Sequence, residues 1–247
     1  MKLTVIGYWG GYPARDEASS TYVLEKDNFM LLLDLGSGGL AKLQKYYDVT
    51  DVDALLLSHY HADHVADVGV LQHALLVQSY FQEELKKVPI YGHHENDTEF
   101  QKLTHDYTEG IAYDPDNVLK IGPFFIRFIQ TKHSVPCYGM RITDGETTLV
   151  YTADSAFQNE WIKFSQHADV LLADCNFYAG LDAAASGHMT SEEVATIAKE
   201  ANVSEVILTH LPHFGEHTQL VKEAQAIYDG NVYLAYEGFV WDNTKDE

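Results

Sequence analysis

The chain has 247 residues, with sixteen Lys and Arg against thirty-seven Asp and Glu, a formal charge of -21 at pH 7. Proteins bind long DNA or RNA largely by setting Lys and Arg against phosphates, and no basic run occurs here, so long nucleic acid is disfavoured as a partner. A small anion held by a metal ion stays compatible, because the field beside a dication overrides the field of the whole chain.

The length suits one α/β domain over 1–247, and the apolar share of 46% fits a packed core. The opening "MKLTVIGYWGG" has a single Lys and a short strand-like run, unlike a signal peptide. No apolar stretch approaches the roughly 20 residues of a membrane span. Cys137 and Cys175 build no disulfide framework. A cytoplasmic protein with no membrane partner is expected.

Along the chain, strand-like and helix-like patterns alternate. Strands are expected at Leu3–Gly7, Thr21–Glu25, Met30–Leu35, Ala54–His59, Val88–Tyr91, Phe124–Lys132, Tyr138–Thr143, Thr148–Thr152, Val170–Asp174, Glu205–His210 and Asn231–Tyr236. Helices are expected at Gly39–Tyr47, Val65–Phe81, Thr98–Thr104, Glu160–Gln166, Ser191–Glu200 and Thr218–Tyr228. Hairpin turns are read at Asp27-Asn28 and around Asp144-Gly145. Two hairpin-bearing halves, each trailed by helices, suggest two sheets face to face with helices outside. The helix Val65–Phe81 is apolar on more than one face, which fits either a homodimer interface or deep burial.

Loops at strand ends are where α/β proteins keep their chemistry. The apolar run Ala54–Leu57 leads straight into "SHYHADH". His59 and His61 are two apart in an extended segment, so their side chains point the same way. Asp63 and His64 follow at a helix start. Three more strand ends carry ligand-type residues: His133 in "QTKHSVP", Asp154 in "VYTADSA" and His210 in "ILTHLPH". One strand-end histidine is ordinarily a hydrogen-bonded loop residue, but four such ends in the order HxHxDH…H…D…H are hard to ascribe to coincidence. Imidazole and carboxylate donors suit Zn²⁺, with Mn²⁺ or Fe²⁺ as competitors.

That ordered set resembles the metallo-β-lactamase superfamily over nearly the whole chain. The resemblance implies a four-layer αββα sandwich with a dinuclear metal site at one edge of the two sheets. It further implies that His59, His61 and His133 hold one metal, that Asp63, His64 and His210 hold the second, and that Asp154 bridges them. The nucleophile it implies is a hydroxide shared by two Zn²⁺ ions.

Substrate class turns on "SGHMTSEEVATIAKEA". Thr190 and Glu193 read as a capping box opening the helix at Ser191, with His188 just ahead of it. This segment resembles the GH-x-T stretch of ribonuclease Z and related phosphodiesterases, where the histidine assists at the scissile phosphate beside the aspartate matching Asp63. The resemblance thus makes Asp63 and His188 catalytic; a surface-loop histidine is the alternative. The opening "GYWGGYPARDEASSTYVL" resembles the start of ribonuclease Z as well, or is a plain turn.

Ribonuclease Z carries a tRNA-gripping arm between the segments matching His133 and Asp154, where this chain has one short hairpin. Processing of tRNA 3′ ends therefore fits poorly, and a small phosphodiester, such as a cyclic nucleotide or cyclic sugar phosphate, fits better. The rival enzyme is a thioester, lactone or β-lactam hydrolase. A non-hydrolytic di-iron electron carrier of the superfamily would need a flavin domain not seen here. His213 is read as an exposed histidine, with a place at the mouth of the site as the alternative. Tyr60 and Cys137 are read as packing residues, and no role is assigned to Cys175.

Overall fold

The computed structural model describes residues 1–82 and 84–243. They fall into two compact units, one formed by residues up to Asp114 together with those from Tyr236 to Asn243, the other by Pro115–Ala235. In chain order the first unit holds β1 (Lys2–Gly7), β2 (Thr21–Lys26), β3 (Phe29–Leu35), α1 (Gly39–Leu43), β4 (Ala54–Leu56), α2 (Ala62–Val65), α3 (Val68–Gln78), β5 (Val88–Gly92), α4 (Asp97–Gln101) and β6 (Thr108–Ala112). The second holds β7 (Leu119–Ile121), β8 (Phe124–Gln130), β9 (Tyr138–Thr143), β10 (Thr148–Tyr151), α5 (Glu160–Phe164), β11 (Val170–Asp174), α6 (Ser191–Glu200), β12 (Glu205–Thr209), α7 (His217–Gln225) and β13 (Asn231–Leu234). The chain then returns to the first unit as β14 (Val240–Asp242).

Each unit contains one seven-stranded mixed sheet, ordered β14-β1-β2-β3-β4-β5-β6 in the first and β13-β12-β11-β10-β9-β8-β7 in the second. Antiparallel hairpins build one side of each sheet, and parallel strands the other. The parallel strands read as continuous apolar runs, such as Leu31–Leu33 and Val170–Leu172, because both faces are buried. In the first unit, Ile6, Val23, Leu32, Leu55 and Ile90 pack with Leu40, Leu43, Leu71 and Leu75 from α1 and α3.

The hairpin at Asp27-Asn28 is as expected: both residues have positive φ, 53° and 62°, as a two-residue turn with the twist of the strands demands. Helix α6 spans Ser191–Glu200 as its pattern suggests, opened by the Thr190/Glu193 capping box. Two expectations need correction near the histidine motif. Strand β4 stops at Leu56, so His59 lies in the loop beyond it. The anticipated helix Val65–Phe81 is divided into α2 and α3 at Ala66-Asp67. Asp67 there accepts the Leu40 amide, which ties the break to α1.

Helix α3 is not deeply buried. Val68, Leu71 and Leu75 face the core, whereas Val70 and Val77, and Tyr80 and Phe81 beyond them, are exposed. No helix among the described residues is long and apolar enough to cross a membrane.

In the second unit, Trp161 of α5 is fully buried and lies against Gly139 of β9, where an added Cβ would come within 2.2 Å of the indole. The indole Nε1 donates to Ser155 Oγ at 3.1 Å, which fixes the loop directly after Asp154. Replacing Gly139 by Ala must push the helix off the sheet. Gly139→Ala is expected to lower stability by about 1–3 kcal/mol, read from the midpoint of urea unfolding; an unchanged midpoint would show that Trp161 does not set this spacing.

Candidate functional site

Strand ends in both units deliver clusters of imidazole and carboxylate groups. In the first unit the organising residue is Asp34, near the end of β3, held with φ at 54° and fully buried. Its Oδ1 accepts the Ser58 amide at 2.8 Å, and its Oδ2 accepts the Ser58 hydroxyl at 2.8 Å. His64 Nδ1 also stands 2.8 Å from Oδ2. A carboxylate only accepts, so that nitrogen carries the hydrogen. The Ser58 proton points at Asp34, so Ser58 Oγ is the acceptor for His59 Nδ1 at 3.0 Å. One buried carboxylate therefore sets the tautomer of two histidines and leaves Nε2 of each directed away from Asp34.

His61 packs edge-on against His59, ring centres 4.8 Å apart, and His64 lies 4.2 Å from His59. Asp63 and His64 sit in the first turn of α2, with His64 Nε2 3.6 Å from Asp63 Oδ2. The Gly11 amide donates to that same Oδ2 at 2.7 Å, so the N-terminal loop is more than a turn between strands. Gly36 lets α2 approach: a Cβ there would fall 2.0 Å from the Asp63 carbonyl oxygen.

In the second unit Asp174 plays the matching part at the end of β11. Its Oδ2 accepts from His188 Nδ1 at 2.8 Å and from the Ser155 amide at 3.2 Å, and its Oδ1 lies 3.5 Å from His210 Nδ1. Burial would raise this carboxyl, yet His188 and His210 beside it hold it below the usual range. Burial likewise works against charge on His188, but Asp174 outweighs it and keeps the imidazole above its ordinary value. His133 Nδ1 faces the Gly187 carbonyl oxygen at 3.1 Å. Gly187 has φ 79°, and a Cβ there would fall 2.8 Å from that ring nitrogen, so only glycine suits the contact.

Asp154 sits between two rings: Oδ1 is 3.3 Å from His210 Nε2, and Oδ2 is 3.6 Å from His133 Nε2. Asp154, Asp174, His188 and His210 offer ligand-type atoms that all lie within 4.8 Å of one another. His210 has φ 52°, and its carbonyl oxygen accepts from Asn176 Nδ2 at 2.8 Å. Non-glycine residues in this region carry strain of order 1–3 kcal/mol, which the surrounding contacts must hold in place.

These donors fit divalent metal. Metal-bound histidines ordinarily give their second ring nitrogen to a carboxylate or carbonyl, which is the state of His59 (through Ser58), His64 and His133. Two ligands at about 2.0–2.1 Å from one tetrahedral ion stand roughly 3.3 Å apart, in the range of the Nε2–carboxylate spacings above.

Within each unit the structure brings together the residues singled out from the sequence, His59, His61, Asp63 and His64 in one, and His133, Asp154, His188 and His210 in the other. Sequence reasoning missed Asp34 and Asp174. Both lie at or next to the end of an apolar strand, the same signal that identified Asp154 and His210. His213 is exposed, Tyr60 is half-buried with its hydroxyl on the His93 carbonyl oxygen, and Cys137 and Cys175 are buried. Burial pushes the Cys175 thiol up.

Two buried carboxylates under strand-end histidines define a metal-binding arrangement, and similarity to known proteins gives its class. A family model described as "Beta-lactamase superfamily domain" matches residues 32–211, a span that holds every strand-end residue from Asp34 to His210. The chain belongs to this metallo-β-lactamase superfamily and fits its ribonuclease-Z-like branch. It is 51% identical over 243 residues to "Probable metallo-hydrolase YhfI" of Bacillus subtilis (strain 168), covering 98% of this chain and 100% of that protein. The crystal structure of YhfI, described as a metallo-β-lactamase fold protein, superposes with a TM-score of 0.96 over 97% of this chain and 98% of that one. The ribonuclease Z of Haloferax volcanii is 23% identical over 300 residues, covering 96% of this chain and 93% of that protein. The fold is thus the metallo-β-lactamase fold, and the protein is a metallo-hydrolase.

Asp34→Ala would leave the Ser58 amide and the His64 ring N–H as buried donors without an acceptor. We expect a loss on the order of 1–3 kcal/mol for each donor so stranded, measured by chemical denaturation with chelator present so that metal binding does not contribute. Wild-type stability in that variant would show that Asp34 does not organise the motif.

Proposed function

We propose that the protein is a metal-dependent phosphodiesterase acting on a small phosphodiester, cyclic ones included. In this reading His59, His61 and His133 hold one divalent cation, Asp63, His64 and His210 hold a second, and Asp154 is shared, as the family resemblance implies. Zn²⁺ is the first choice, with Mn²⁺ or Fe²⁺ next. Bound there, the cations supply Lewis acidity and activate water.

The observation that carries the choice of phosphodiester is the His188–Asp174 pair. Asp174 accepts from His188 Nδ1, which turns Nε2 toward the open side of a ring whose side chain is 15% exposed. His188 stacks over His210 with ring centres 5.0 Å apart, so a proton held at Nε2 lies beside the ligand-type cluster. From there it can pass to the oxygen that leaves phosphorus. Asp63, anchored by the Gly11 amide, is the carboxylate placed to receive a proton from the attacking side.

The size of the substrate follows from what is absent between His133 and Asp154. Among the described residues that stretch forms only the β9–β10 hairpin, Thr143 pairing with Thr148, with nothing to grip tRNA. With a net charge of -21, the chain also gives a long polyanion no attraction. Similarity to proteins named ribonuclease Z supports a phosphodiester, and these two features support a small one.

Chelation is expected to abolish hydrolysis of bis-p-nitrophenyl phosphate, with recovery on adding Zn²⁺ or Mn²⁺. Assayed beside a thioester and nitrocefin, the diester should be the substrate turned over. His188→Ala should lose one to three orders of magnitude in kcat/KM on the diester, assayed well below a melting temperature that falls because buried Asp174 loses a donor. Wild-type diesterase activity in that variant, or a preference for the thioester or nitrocefin, would refute the assignment.

A further inference from the structure

The chain has three arginines, Arg15, Arg127 and Arg141, and the last two stand directly opposite each other on β8 and β9. Cβ atoms so paired are about 4.5–5.5 Å apart, and like charges placed there destabilise a sheet. Ile126, Met140 and Ile142 beside them are buried, so both arginines leave on the other face, the one that α5 covers at Gly139. None of the positions around the pair on that face, Phe125, Ile129, Gly139, Thr143 and Val150, carries a carboxylate.

Arg141 Nη1 donates to the Phe164 carbonyl oxygen at 2.9 Å, at the C-terminal end of α5, which fixes the guanidinium. Burial first, then the Arg127 charge, holds this group below its ordinary value. Asp169 pulls the other way, but it is itself engaged by the Thr148 amide at 2.8 Å. Among the described residues, the side chains of Arg127 and Lys163 have no hydrogen-bond or ion-pair partner.

Arg127, Arg141 and Lys163 together line a cleft of about 440 Å³, with Ile129 and Phe164 as its apolar part. That volume is in the range of small-molecule sites. The lining sets three cations against one carboxylate, Glu160, in a chain where acids outnumber bases thirty-seven to sixteen. Cations kept where they repel one another add nothing to the fold, whereas an anion between them offsets the repulsion. We propose that this cleft binds a small molecule with a dianionic head, a phosphate monoester or a dicarboxylate, between Arg127, Arg141 and Lys163. Guanidinium forks match either head with paired hydrogen bonds, and the ligand's apolar body rests on Ile129 and Phe164. Bound there, it ties α5 to the sheet and so braces Trp161, whose indole holds Ser155 beside Asp154. The site does not depend on which ester the histidine clusters hydrolyse.

The test is calorimetric titration of the metal-loaded protein, at low salt, with phenyl phosphate and with succinate, acetate serving as the monoanionic control. Wild type should bind a dianion, and Arg127→Gln should weaken that binding about ten-fold or more. The tighter of the two probes identifies the source of the head group. A phosphate ester can also reach the metals, so binding unaltered in Arg127→Gln belongs there and overturns the proposal. Acetate bound as tightly as both dianions overturns it too. Without ligand, Arg127→Gln should melt about 1–3 °C above wild type, because the opposed charge is gone. A variant that melts below wild type would assign Arg127 to the fold and sink the site.

Discussion

The chemistry of this protein depends on two buried carboxylates. Asp34 and Asp174 are both fully buried, each lies at or next to the end of an apolar strand, and each accepts from a ring nitrogen and from a backbone amide. An ionised carboxylate in such a place is costly unless its oxygens are met by donors. The donors supplied are the Nδ1 side of histidines, so satisfying the carboxylate and orienting the imidazole are one event. Every ring so held turns Nε2 the other way.

This explains why glycines recur around the site. Gly36 and Gly187 sit where a Cβ would strike the Asp63 carbonyl oxygen or the His133 ring. Their role is to let a backbone approach a side chain whose direction is already set. The left-handed φ at Ala153 turns the chain past β10 so that the next side chain, Asp154, enters the cluster, while Asp34 and His210 adopt left-handed φ themselves. Together they are local departures from regular structure at the positions that carry the chemistry.

Much of this was legible in the sequence because the site is written in residue types at strand ends. The HxHxDH stretch, Asp154 and His210 each follow an apolar run, and the helix after His188 announces itself by its capping box. What escaped notice has physical reasons. Asp34 and Asp174 close apolar runs but sit in no recognisable spacing, and their importance lies in what they touch far along the chain. Strands β6, β7 and β14 are short and lie at or next to the outer side of their sheets, and "TEGIA" carries a glycine that weakens any strand signal. The break between α2 and α3 was hidden because an aspartate in a helical pattern looks like a solvent-facing residue, whereas Asp67 binds the Leu40 amide.

Strand β14 has a bearing on how the chain is made. It pairs with β1, Lys2 opposite Asp242 and Thr4 opposite Val240, so the outer strand of the first sheet comes from its most distant segment. Until that segment arrives, the apolar stretch "LTVIG" shows one whole row of unused amides and carbonyls, an open template for another copy of the chain. Loss of a few residues near Val240 would expose the same row permanently. Such a truncated product should clump well before its histidine clusters lose their shape, and an expression tag fused on that side risks the same outcome.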